Sequence, residues 1–176
     1  NSTGMKLTNS DLLKAYSLEN IEDSNDRERY ASKWNNLVNM INRDEENNKD
    51  DEFENLIGMI RTILSKQRAR KEIYEEYVEL FKREKIIFEG KIIKNGKEFI
   101  DLLEKFAYVY RDGIQTPKQD KYDKEYVLIL DAMRKYIKSS EWLTALLYYN
   151  YKYKEERSID FLKKLEKKVI NDFLDP

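Results

Sequence analysis

The chain has 176 residues, enough for one helical domain or two small lobes with a real core. Charged side chains make up 38% of it, but 33 Lys and Arg stand against 34 Asp and Glu, so any attraction to nucleic acid has to come from a local patch. Cys and His are both absent, which excludes from these residues disulfides, thiolate and imidazole metal sites, Ser-His-Asp and Cys-His nucleophiles and an HNH nuclease.

With only 5 Gly and 2 Pro, a sandwich or loop-rich barrel is excluded too, and the profile is helical. No apolar run approaches the roughly 18 residues that cross a bilayer, and no signal peptide is present. The expectation is a cytoplasmic chain with no membrane partner.

In chain order, Asn1 to Gly4 form a polar N-x-x-G turn that leads to Thr8, a cap for a helix over Asn9 to Leu18. Asp11 sits in its first turn, where a carboxylate suits the helix dipole. Glu19 to Asn25 is polar and connecting, with Ser24 a candidate cap. Tyr30, Trp34, Leu37 and Ile41 then recur at helical spacing between Asp26 and Asn42. Arg43 to Asp51 carries no apolar residue and reads as an exposed loop. A third helix over Asp51 to Lys66 presents Phe53, Leu56, Ile57, Ile60, Ile63 and Leu64; a fourth over Lys71 to Arg83 presents Ile73, Tyr74, Tyr77, Leu80 and Phe81.

The stretch from Lys85 to Lys97 changes character, with two Gly and two Ile-Ile pairs. It fits a short hairpin near 86–95 or a helix–helix connection with tucked apolar anchors. A fifth helix follows from Gly96 to Arg111, then a linker over Asp112 to Tyr122. Val127, Leu130, Met133 or Arg134, and Ile137 mark a sixth helix over Lys124 to Lys138. Ser139 or Ser140 caps a seventh with Trp142, Leu143, Leu146, Leu147 and Tyr149, and Ser158 opens a last one with Leu162, Leu165, Val169, Ile170 and Phe173. The fold class is therefore all-α, an irregular bundle of seven to eight helices. It forms a single helical domain over 1–176, or two lobes, 1–112 and 122–176, joined by 113–121. Trp34 and Trp142 are core anchors, because each helix buries only one stripe and the large rings supply area.

The run N-S-T-G-M-K-L-T-N-S-D-L-L-K resembles the N-x-x-G-x-x-L-(S/T)-x-x-D-(L/I)-(L/I)-(K/R) segment of the GmrSD-type restriction and phage-defence family, through Asn1, Gly4, Leu7, Thr8, Asp11, Leu12, Leu13 and Lys14. Trp34 stands where that family's helical region is expected to carry an aromatic. The resemblance implies a chain excised from a larger protein, with a ParB/sulfiredoxin-like NTPase domain upstream and often an HNH nuclease downstream. It also implies that Asn1 and Gly4 form the edge of a nucleotide site completed by the upstream domain. NTP and a divalent metal would belong to the parent protein, with no cofactor held by the present residues.

Four stretches bear on chemistry. Acidic clusters at Asp44-Glu45-Glu46, at Asp50-Asp51-Glu52 with Glu54, and at Glu155-Glu156 are read as solvated faces, since adjacent helical positions diverge rather than converge on a metal. From Asn55 to Lys71 there is no acidic residue, while Arg61, Lys66, Arg68, Arg70 and Lys71 are basic. Lys66, Arg68, Arg70 and Lys71 are the candidate nucleic-acid-binding residues, with DNA the candidate partner. The plainer alternative is a basic helix end that complements the dipole. Tyr148 to Lys154 interleaves Tyr with Lys, a pattern that stacks single strands or simply packs amphipathic rings. No G-x-x-x-x-G-K-(S/T) or G-x-G-x-x-G phosphate cradle occurs, so the opening turn stands alone. No catalytic or metal-ligating residue is assigned, and the expected role is a non-catalytic helical region linking or supporting NTPase and nuclease domains. The alternatives are a nucleic-acid-binding module or a protein-interaction scaffold.

Overall fold

The computed structural model describes residues 6–43, 51–83, 86–153 and 155–174. Asn1 and Gly4, residues 44–50 of the acid-rich stretch, Lys154, and the side chains of Glu156 and Phe173 lie outside the described residues. The chain forms two compact units, Asn1–Ala107 and Tyr108–Pro176. The division falls inside a helix, upstream of the polar 113–121 stretch.

The first unit contains α1 (Asn9–Leu18), α2 (Ser24–Ile41), α3 (Glu52–Ser65), α4 (Ile73–Arg83), a hairpin of β1 (Ile86–Phe88) and β2 (Lys91–Ile93), and α5 (Lys97–Tyr110) as far as Ala107. The start of α1 is a reciprocal capping box: the Asp11 N–H donates to Thr8 Oγ1 at 3.1 Å and the Thr8 N–H to Asp11 Oδ2 at 3.2 Å. The next two free N–H groups are met from another helix. Glu54 of α3 accepts from the Asn9 N–H at 2.9 Å and the Ser10 N–H at 2.7 Å. Asn9 Oδ1 in turn accepts from the Tyr74 N–H at 2.9 Å, which ties α1 to the start of α4. α2 is capped by Asp23, which accepts from the Asp26 N–H at 3.1 Å; Ser24, the expected cap, is already the first helical residue.

The stripe of Tyr30, Trp34, Leu37 and Ile41 is buried, as are Phe53, Leu56, Ile57, Ile60 and Leu64 of α3. Each such aliphatic or aromatic side chain contributes about 1.5–3 kcal/mol by leaving water. The polar groups carried inward by Tyr30, Trp34 and Tyr77 are all satisfied: the Tyr30 hydroxyl donates to Asp101 Oδ2 at 3.0 Å. Trp34 Nε1 donates to Ser10 Oγ at 3.3 Å, and the Tyr77 hydroxyl donates to the Ile57 carbonyl at 2.7 Å.

Of the two readings open for residues 85–97, the hairpin is the one formed. Ile86 pairs with Ile93, Ile87 with Ile92 and Phe88 with Lys91, in antiparallel register. Ile86 and Phe88 are buried while Ile87 between them is exposed, the period of two that separates a strand from a helix. The turn needs two left-handed residues, supplied by Glu89 (φ 51°) and Gly90 (φ 75°).

The second unit holds α6 (Lys124–Tyr136), α7 (Glu141–Lys152), a 3-10 turn at Glu155–Arg157 and α8 (Ser158–Leu174). The expected linker from Asp112 is in part not a linker. Arg111–Gln115 forms a π-helical turn with Gly113 and Ile114 buried, and Tyr122 is buried as well. The anchor of α6 is Tyr126, fully buried, rather than Val127. Its hydroxyl donates to the Gly113 carbonyl at 2.7 Å and accepts from Asn150 Nδ2 at 3.1 Å; Ser158 Oγ donates to Asn150 Oδ1 at 2.6 Å. Ser158 therefore joins α8 to α7 instead of only opening a helix. Among the described residues no helix is long and apolar enough to cross a membrane.

Gly113 is required by this network. A Cβ there would stand 2.9 Å from both Asn150 Nδ2 and the Tyr122 hydroxyl. Gly113→Ala is expected to cost about 1–3 kcal/mol, read as a lower urea midpoint with the slope unchanged; a midpoint equal to that of the parent chain would show that the neighbours yield freely.

Candidate nucleic-acid interface at the α3–α4 connection

α3 stops at Ser65 because Lys66 adopts a left-handed conformation (φ 58°) while its N–H still donates to the Thr62 carbonyl at 2.9 Å. Ser65 Oγ accepts from the Gln67 N–H at 3.2 Å and turns the chain outward. Residues 66–72 are all exposed. The four candidate residues Lys66, Arg68, Arg70 and Lys71 are thus brought together on one short solvent-facing connection.

Arg61, counted with them by charge, does not belong to the patch. It lies on the buried stripe of α3 at 2% exposure, in an ion pair with Glu76 of α4, and its Nη2 donates to Thr62 Oγ1 at 2.7 Å. Glu76 also organises the connection. One carboxylate oxygen takes Arg61, and the other accepts from the Arg70 and Lys71 N–H groups, both at 3.1 Å. Burial by itself pushes the Glu76 carboxyl up. The Lys71 and Arg70 N–H bonds and the Arg61 charge outweigh that and hold it below its ordinary value.

A cleft of about 190 Å³ opens beside this connection, lined by Ser65, Gln67, Arg70, Glu76, Glu79, Leu80 and Arg83. Lys71 pairs through Nζ with Glu79, and this hydrogen bond is the main reason the Glu79 carboxyl sits low. Arg83 was missed as a site residue because it reads as an ordinary basic residue closing α4. Its side chain lines the same cleft as Arg70.

The other sequence candidates have structural work. Asp51 caps α3 through the Phe53 and Glu54 N–H groups at 3.0 and 3.2 Å, and Glu54 caps α1. Burial raises the Glu54 carboxyl despite the N–H bonds from Ser10 and Asn9 that oppose it. Among the described residues no group of three or more Asp and Glu could hold a metal ion. In the Tyr-Lys stretch, Tyr149 stacks on Phe161 (centroids 4.0 Å apart) and meets Tyr153 at 4.7 Å, while Asn150 belongs to the buried network. A second concavity of about 210 Å³, in the second unit, is walled by Asp120, Asp123 and Glu155 with Tyr122. Burial, with the charges of Glu155 and Asp112, pushes the Tyr122 hydroxyl up to about 12. No protein-family model matches the chain, and no curated protein or solved structure shows significant similarity to it.

The Arg61–Glu76 pair sets a clear expectation. Glu76→Ala leaves a buried guanidinium without its counter-ion and should cost about 3–5 kcal/mol in urea denaturation. Because the folded-state carboxyl is held low, the parent chain loses this contribution as pH falls below the ordinary value of 4.5. The Glu76→Ala profile should be flatter over that acid range; parallel profiles would mean that Glu76 is not the titrating group.

Proposed function

We propose that this chain is a non-catalytic helical region of a larger, nucleotide-dependent defence protein resembling the GmrSD family, in which it supports or links NTPase and nuclease domains. The observation that carries this reading is the coupling at the start of α1. Thr8 and Asp11 of the motif close the capping box. The Asn9 and Ser10 N–H groups are held by Glu54 of α3, and Asn9 reaches Tyr74 of α4. A displacement of the motif is therefore passed to two further helices through hydrogen bonds rather than absorbed by a loose connection. NTP and divalent metal belong to the partner domains, and Asn1 and Gly4 to the edge of the nucleotide site. The reading is tested by the coding sequence on either side. A D-G-Q-Q-R-type motif upstream with a His-bearing nuclease motif downstream supports it, and an unrelated upstream domain overturns it.

A second reading, direct contact with DNA, is favoured by the grouping of Lys66, Arg68, Arg70 and Lys71 on one exposed connection. Replacing all four by Ala keeps the backbone N–H groups that Glu76 needs, so the fold should survive. A DNA affinity that falls steeply with salt is expected for the parent chain, with a slope reduced by about 0.7–0.9 for each phosphate contact removed. Identical affinity and salt slope in the fourfold variant would reject this use of the connection.

A further inference from the structure

We propose that the cleft between the end of α3 and α4 binds a phosphate monoester, held between the guanidinium groups of Arg70 and Arg83. This rests on the nucleic-acid reading of the connection and makes it specific: the strand is taken by its phosphorylated end. The cleft is lined by two carboxylates, and both are already answered. Glu76 is paired with Arg61 and accepts two backbone N–H groups; Glu79 is paired with Lys71. The guanidinium groups of Arg70 and Arg83 make no hydrogen bond or ion pair among the described residues, and both residues are exposed. Their charges are nevertheless close to the site, because both are felt by the Glu79 carboxylate. The cleft lining thus carries two guanidinium groups in no ion pair beside two carboxylates that are already paired.

That balance selects the ligand. A terminal phosphate monoester carries about −1.5 to −2 charge near pH 7 and offers three acceptor oxygens. An internal phosphodiester carries a single charge and would leave one guanidinium uncompensated. Guanidinium groups present planar pairs of donors that suit phosphate oxygens, and Ser65 and Gln67 line the same cleft. Leu80 provides the apolar side against which an attached sugar can rest. An opening of about 190 Å³ admits the end of a strand but not a duplex laid across it. Glu79 opposes an incoming anion, so its charge sets the strength of the site rather than its existence.

The whole chain is titrated at low salt with a short single strand labelled at its 3′ end, carrying either a 5′-phosphate or a 5′-hydroxyl, and separately with inorganic phosphate. The phosphorylated strand should bind about tenfold tighter, the worth of one charge-assisted contact at a partly solvated site. R70A or R83A should erase that difference, and E79Q should widen it. K66A, a basic residue outside the cleft lining, should weaken both strands alike. Circular dichroism confirms that each variant is folded. Equal affinity for the two strands, with K66A weakening both and R83A neither, overturns the cleft and leaves the basic connection as the DNA contact. Inorganic phosphate that binds the parent chain but not R83A, with no strand bound at all, supports the cleft and removes the nucleic-acid reading. Neither strand nor inorganic phosphate binding at low salt overturns both.

Discussion

The Glu76 carboxylate meets three donors from two parts of the chain: the Arg61 guanidinium from α3 and the N–H groups of Arg70 and Lys71 from the connection. Without it, a buried cation on α3 has no counter-ion and the first turn before α4 has no acceptor. The arrangement of the exposed basic residues depends on this inward contact. The connection follows one path because its backbone is held from beneath, and that leaves the side chains of Lys66, Arg68 and Arg70 on the solvent side. A buried ion pair of this kind adds little net stability compared with apolar packing, because desolvation offsets the attraction. What it adds is position. An apolar pair could hold α3 against α4 equally well, but it could not gather two backbone N–H groups from the segment between them.

The same device recurs in other parts of the chain. Glu54 does for α1 what Glu76 does for the connection, with both carboxylate oxygens on N–H groups of another helix. In the second unit, Tyr126, Asn150 and Ser158 bring a hydroxyl, an amide and a second hydroxyl together against the Gly113 carbonyl. Each unit thus fills its core with aliphatic and aromatic side chains and fixes its geometry with a few buried, hydrogen-bonded polar groups. Such groups tolerate few alternative packings, since a shifted helix would leave a buried donor or acceptor unmet.

Helical periodicity made most of the architecture legible: α1 at Asn9–Leu18 and the stripe of Tyr30, Trp34, Leu37 and Ile41 follow directly from spacing. The hairpin stayed open between two readings because three-residue strands carry too little alternation to exclude a tucked connection. Two local errors share one cause. Tyr126 was passed over for Val127, and Arg61 was counted as surface, since hydropathy ranks Val above Tyr and places Arg outside. Position says otherwise. Arg61 follows Ile57 by four and precedes Leu64 by three, on the buried face, and Tyr126 precedes Leu130 by four and Met133 by seven. What spacing cannot supply is the long-range partner that makes such burial tolerable, here Glu76 fifteen residues on and Asn150 twenty-four on.

The near-zero net charge of the chain also takes on a different meaning in three dimensions. Thirty-three basic and thirty-four acidic side chains suggest a surface with no preference for anions. Charges do not cancel by count, however, but by contact and screening, over a distance of about 8–10 Å in physiological salt. Around the α3–α4 connection two acidic residues are paired, Glu76 with Arg61 and Glu79 with Lys71, while Glu72 and Glu75 stay exposed and farther off Glu54 serves the start of α1. The two paired carboxylates are taken up by the fold, and the guanidinium groups of Arg70 and Arg83 are not. A local excess of positive charge can therefore arise in a neutral chain from the way the fold consumes its acids, with no enrichment in bases beyond the short run from Lys66 to Lys71.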